Sequence, residues 1–346
     1  MWRSRQGVLR SGIARVVTAT VAATALTASL AACGGASGPT LTLYNAQHQD
    51  LAQAWIDGFA KETGIAVEVR RGGDFELANQ ILAEGDASPA DVFITENSPA
   101  LSLLSSEGVL APLDQATLAQ VPARFNSGAG DWVGIAARST VVIYNPSLIA
   151  PDQLPKSIIE LSGPQWKDRI GIASGGADFQ AIASAVYTVN GDAVAEQWLT
   201  GLAQNAKVYQ NNIAIMKAVN AGEVPAGVIY HYYWYKDRAE SGQDSSNTEL
   251  EYFDKKDAGA FVSVSGAGVL KSSQHAAEAQ RFVAYMSGVA GQQILADTDA
   301  LEYTVGDGVP QNPALRPFSE LDPPDVDLNT LNGPKIISEM QRVGLL

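Results

Sequence analysis

The chain has 346 residues, 46% hydrophobic and 17% charged, which is about two domains' worth and too apolar for a disordered chain. One cysteine and three histidines exclude a disulfide framework and any Cys-rich zinc or iron–sulfur site. A formal charge of −14 disfavours nucleic acid, whose phosphates require Lys and Arg stripes.

In chain order, Arg3, Arg5, Arg10 and Arg15 precede an apolar, small-residue run from Val16 to Leu30. That pattern predicts a secretory signal peptide over 1–32. Leu30-Ala31-Ala32-Cys33 resembles the lipobox of bacterial lipoproteins. The resemblance implies that Cys33 is lipidated, becomes the mature N-terminus and anchors the protein to the cell membrane from outside the cytoplasm. Residues 33–40, with Gly34 to Pro39, then form a flexible tether. Loss of the leader takes Lys plus Arg from 23 to 19 against 37 acids, a net charge of −18. No other segment approaches the ~20 apolar residues of a membrane span.

Leu41 to Tyr44 predicts a first strand, and Leu51, Trp55 and Phe59 at every fourth position predict a helix over 49–62, ended by Gly64. Alternating Ile65, Val67 and Val69 predict a second strand; a helix over 76–83, a strand over 91–95 and a helix over 98–107 follow. This alternation is the parallel α/β pattern. Residues 132–144 read as two β-like runs broken near Arg138. A second α/β set has strands at 169–173, 224–230 and 251–253 and helices near 178–189, 192–204 and 213–221. A long β run over 260–270, a helix over 274–287, an extended run with five prolines over 309–325 and a short last helix through Ile336, Met340 and Val343 complete the chain. Two α/β lobes joined by the β runs 132–144 and 260–270 predict a hinged pair with a ligand cleft between the lobes. Lobe 1 is expected to be 41–137 with 263–312, and lobe 2 to be 138–262 with 313–346.

Ligands in open α/β sheets lie beyond the carboxyl ends of strands. There the sequence offers His48, Glu96, the run His231-Tyr232-Tyr233-Trp234-Tyr235 and the turn Ser174-Gly175-Gly176-Ala177. Two phenolates, one carboxylate and a neutral imidazole sum to −3 and suit a hard trivalent cation. A phenol with a free pKa of about 10 loses its proton near neutral pH to a strongly acidic metal such as ferric iron. Calcium favours carboxylates and carbonyls, and zinc favours Cys and His. Each piece alone has a plainer reading. His48 is a helix-start histidine, Glu96 a cap, the tyrosine cluster core packing or a sugar-stacking platform, and the turn merely a turn. Only the conjunction points to a metal.

The strings Leu43-Tyr44-Asn45-Ala46-Gln47-His48, Ala90-Asp91-Val92-Phe93-Ile94-Thr95-Glu96 and Tyr232-Tyr233-Trp234-Tyr235, in this order, resemble the ferric-ion-binding proteins of bacterial iron ABC transporters, across essentially all of 41–346. That resemblance implies a class II periplasmic-binding-protein fold, two lobes joined by β hinge strands. It also implies a monomeric, non-enzymatic protein that delivers Fe3+ to an ABC permease. In that family His48, Glu96, Tyr232 and Tyr233 bind the iron, and an anion often completes the octahedron. Arg138, Gly176, Ala177 and Asn212 fall at the anion-site positions. Asp178 departs from the pattern, standing where a small residue is expected beside the anion. The same fold serves polyamines, thiamine and sugars, the alternative reading. An exported enzyme is the third class, and the sequence carries no G-x-S-x-G elbow, H-E-x-x-H or P-loop to support it.

Overall fold

The computed structural model describes residues 38–346. Cys33 and the leader expected over 1–32 lie outside the described residues. Strand β1 (Thr40–Asn45), helix α1 (Gln49–Thr63), β2 (Ala66–Arg71), α2 (Asp74–Glu84), β3 (Val92–Ile94) and α3 (Pro99–Ser106) follow one another as the sequence predicts. Helix α1 buries Leu51, Ala52, Trp55, Ile56 and Phe59 on one face. It ends because Gly64 adopts φ 73, and its N–H closes on Ala60 O. Strand β3 is buried throughout, as expected of a central strand in a sheet covered on both faces. Short β4 (Leu110–Ala111) and α4 (Gln115–Leu118) lead to β5 (Trp132–Tyr144).

Strand β5 corrects the sequence reading. It is one unbroken, wholly buried strand of 13 residues, with Arg138 in its middle. A buried charge does not break a strand when it is paired, and Arg138 is paired on two sides. The second half of the fold contains β6 (Ile170–Ile172), α5 (Ala177–Asn190), α6 (Asp192–Asn205), β7 (Lys207–Val208), α7 (Asn212–Asn220), β8 (Ala226–Tyr230), α8 (His231–Glu240) and β9 (Glu249–Glu251). Strand β9 lies two residues earlier than the predicted 251–253. The chain returns through β10 (Val262–Leu270), α9 (Ala276–Ser287), α10 (Val289–Asp297) and α11 (Gly333–Val343). The proline-rich stretch is irregular apart from a short helical turn at Phe318–Glu320.

The main sheet path runs β2-β1-β3-β10-β5-β8-β6-β7, with β4 paired to β10 and β9 to β5. Strand β1 pairs parallel with β2 and β3, and β6 pairs parallel with β7 and β8. Strands β5 and β10 run antiparallel between these two groups. Residues of β5 up to Ser139 pair with β10, whereas Thr140 to Tyr144 pair with β8. One strand thus passes from the first parallel group to the second, giving the two-lobed α/β architecture its central connection. Among the described residues no helix is long and apolar enough to cross a membrane.

Candidate metal centre

The carboxyl ends of β1, β3, β6 and β8 supply the side chains. After β1, Asn45 Oδ1 accepts the Gln47 N–H at 2.9 Å and turns the chain, leaving His48 at the head of α1. After β3, the buried Asp74 carboxylate accepts the backbone N–H groups of Glu96 and Asn97 at 2.8 and 2.9 Å and fixes that loop. After β8 the chain enters α8 directly, so Tyr232 and Tyr233 sit in a first helical turn with ring centroids 4.2 Å apart. After β6, Gly176 caps α5 and Asp178 occupies its first turn.

These donors converge. The Tyr232 hydroxyl donates to Glu96 Oε1 at 2.8 Å and lies 3.3 Å from His48 Nε2. The Tyr233 hydroxyl donates to Asp178 Oδ2 at 3.3 Å. Adjacent ligands of an octahedral ion with bonds near 2 Å are separated by about 3 Å, so these spacings match neighbouring vertices. Among the described residues no three His, Cys, Asp or Glu side chains gather as a metal cluster. The grouping emerges only when the phenols are counted.

Burial and the mutual repulsion of the acids set the electrostatics of the site. Burial first, then the Asp178 and Glu96 charges, holds both phenols well above their ordinary value. Burial raises Glu96, with Arg138 pulling it back. Burial and then Glu96 push Asp178 up to about 7. Burial lowers His48, keeping its imidazole neutral and able to ligate. Four acidic groups that each resist ionisation because of burial and of one another all favour a multivalent cation among them.

The residues expected at the anion site contact groups of the protein itself. Asn212 donates to Asp178 Oδ2 at 2.6 Å, and Asn97 donates to Asp178 Oδ1 at 2.8 Å. Both amides are therefore directed at a carboxylate of the protein itself. The Gly176 N–H is bonded to Ala173 O at 2.9 Å, and Gly176 and Ala177 form the start of α5. Arg138 is fully buried between Glu96, at 3.4 Å from its Nη1, and Glu302, bonded to its Nη2. Its Nε and Nη1 make no hydrogen bond. A cavity of ≈ 330 Å³ opens beside the centre, lined by His48, Tyr232, Glu302, Lys236 and the acids Asp50 and Glu240. Sequence reasoning missed Asp74, Asn97 and Glu302. Asn97 directly follows Glu96 and was within reach of a motif reading, whereas nothing local distinguishes Asp74 or Glu302.

A "Fe(3+)-binding periplasmic protein" of Serratia marcescens is 50% identical over 306 residues, covering 88% of this chain and 90% of the relative. A "Major ferric iron-binding protein" of Neisseria meningitidis is 38% identical over 310 residues, covering 88% and 93%. Iron-bound HitA from Pseudomonas aeruginosa superposes with a TM-score of 0.84 at 45% identity, covering 89% of this chain and 100% of that one. The family model for bacterial extracellular solute-binding proteins matches residues 87–322. With a two-lobed α/β fold, donors gathered at strand ends and relatives matched over nearly their full length, the chain belongs to the bacterial extracellular solute-binding protein family.

Proposed function

We propose that this protein captures Fe3+ outside the cytoplasm and hands it to an ABC permease, without catalysing a reaction. The observation that carries this reading is the Tyr232 hydroxyl, 2.8 Å from a Glu96 carboxylate oxygen and 3.3 Å from His48 Nε2, with the Tyr233 ring tilted beside it at a centroid distance of 4.2 Å. Tyr232, Tyr233, Glu96 and His48 bind the ion. Entry of Fe3+ displaces the proton that Tyr232 shares with Glu96 and the proton that Tyr233 shares with Asp178. Two phenolates and Glu96 then neutralise the three charges of the ion. Asp178 takes the place of an exogenous anion, because Asn212 and Asn97 already serve its carboxylate. A carboxylate in the first turn of α5, held by two amides, is a stronger competitor than a dissolved anion because it is tethered.

Lobe 1 spans 41–137 with 263–312, and lobe 2 spans 138–262 with 313–346. His48 and Glu96 belong to the first, Tyr232, Tyr233 and Asp178 to the second, so the ion is captured by closure about β5 and β10. Cys33 carries the lipid that holds the protein on the membrane, and the protein acts as a monomer. The test is to add ferric citrate to the mature protein, record a visible spectrum and measure bound metal. Phenolate coordination requires a charge-transfer band and one iron per chain. A colourless protein without iron overturns the reading and leaves the aromatic cluster to an organic ligand such as a polyamine, thiamine or sugar.

A further inference from the structure

The side chain of Gln47 is buried, at 4% exposure, and every polar atom it carries is committed. Its Oε1 lies 2.7 Å from the backbone N–H of His48 and 2.8 Å from His48 Nδ1. Its Nε2 donates to Ser265 Oγ at 2.6 Å. A backbone N–H can only donate, so the atom facing it must be the carbonyl oxygen of Gln47, and the amide cannot be flipped. With that oxygen fixed, His48 Nδ1 must carry a proton to donate to it. Because burial keeps the ring neutral, Nε2 is then bare, and it is the nitrogen that faces the Tyr232 hydroxyl.

The far end of the amide is locked as firmly. Ser265 Oγ accepts from Gln47 and from Arg138 Nη2, and it donates its own proton to Glu96 O at 2.9 Å. The hydroxyl is saturated, with two bonds accepted and one donated. Arg138 is itself fixed by the buried Glu302. A continuous chain runs from Glu302 through Arg138, Ser265 and Gln47 to the His48 ring.

From this geometry we infer that Gln47, backed by Ser265, is a positioning residue that selects the Nδ1–H tautomer of His48 and aims its free Nε2 at the iron. The inference rests on the reading of His48 as an iron ligand. Gln47, His48, Ser265 and Glu96 all fall within lobe 1, so the lone pair is set before the lobes close. An imidazole whose second nitrogen is anchored in this way is oriented and made more basic, and loss of such an anchor typically costs about 10–100-fold in metal affinity.

The test uses the mature protein, first without iron. Long-range 15N–1H correlation spectra read the tautomer, and with three histidines in the chain His48 is identified by its loss in His48→Ala. The expected wild-type result is a protonated Nδ1 and a bare Nε2. Gln47→Met, similar in shape but without an acceptor, should populate the other tautomer and speed iron loss to a competing chelator by about 10–100-fold. Gln47→Glu keeps an acceptor facing both N–H groups and, with the Ser265 hydroxyl turned to donate to its second oxygen, should restore the tautomer and most of the iron retention. A protonated Nε2 in the wild type, or an unchanged tautomer in Gln47→Met, overturns the inference. Unchanged iron loss in His48→Ala overturns the ligand role on which it rests, and the iron-free spectrum tells that failure apart from failure of the tautomer assignment.

Discussion

Iron retention should collapse with acid, by an amount set by the protons the ion must displace. Both phenols are held well above their ordinary value, so each releases one proton on metal binding at any pH below about 9. Asp178 is pushed up to about 7, so it is largely ionised at pH ~7.5 and largely protonated at pH ~5.5. Its folded value is raised, so below about pH 7 the iron-free form holds a proton that iron must expel. Across those two pH units the phenols cost about four decades of affinity, and Asp178 adds somewhat more than one. The total is about five decades, or about 7 kcal/mol at 1.36 kcal/mol per decade. In Asp178→Asn the same interval should cost about four decades, because that proton is absent. The assay is competition against a chelator of known proton affinity, followed through the visible band at several pH values. A loss of under two decades in the wild type would refute the two-phenolate site. An identical pH dependence in Asp178→Asn would refute the role of that carboxylate.

Tyr233→Phe should abolish the charge-transfer band and iron retention, whereas His48→Ala should weaken binding and keep the colour, because the imidazole supplies no charge. Cys33→Ala should move the protein from the membrane to the soluble fraction on fractionation, with no acyl groups in its mass spectrum. Glu302→Ala strands the buried Arg138 without its closest carboxylate and should cost about 3–5 kcal/mol in urea unfolding; replacing both residues by apolar ones of similar volume should recover most of that loss. Iron should reduce the radius of gyration measured by small-angle scattering, and an unchanged radius would speak against capture by hinge closure.

What the sequence determined by itself was the local part. Apolar spacing within α1, the short buried strands and the turn residues after them depend on neighbours a few positions away, and so the α/β order and the placement of His48 and Glu96 at strand ends were legible. Helix α8 was not. Its aromatic run has no apolar period, and α8 is tied down by its position at the end of β8. The environment of Asp178 was also hidden, because its partners Asn97 and Asn212 lie 81 and 34 residues away. Gln47 meets Ser265 across 218 residues, and Arg138 meets Glu302 across 164. Tertiary structure alone decided those pairings. A buried polar group must find a partner wherever the fold brings one, and that requirement leaves no periodic trace along the chain.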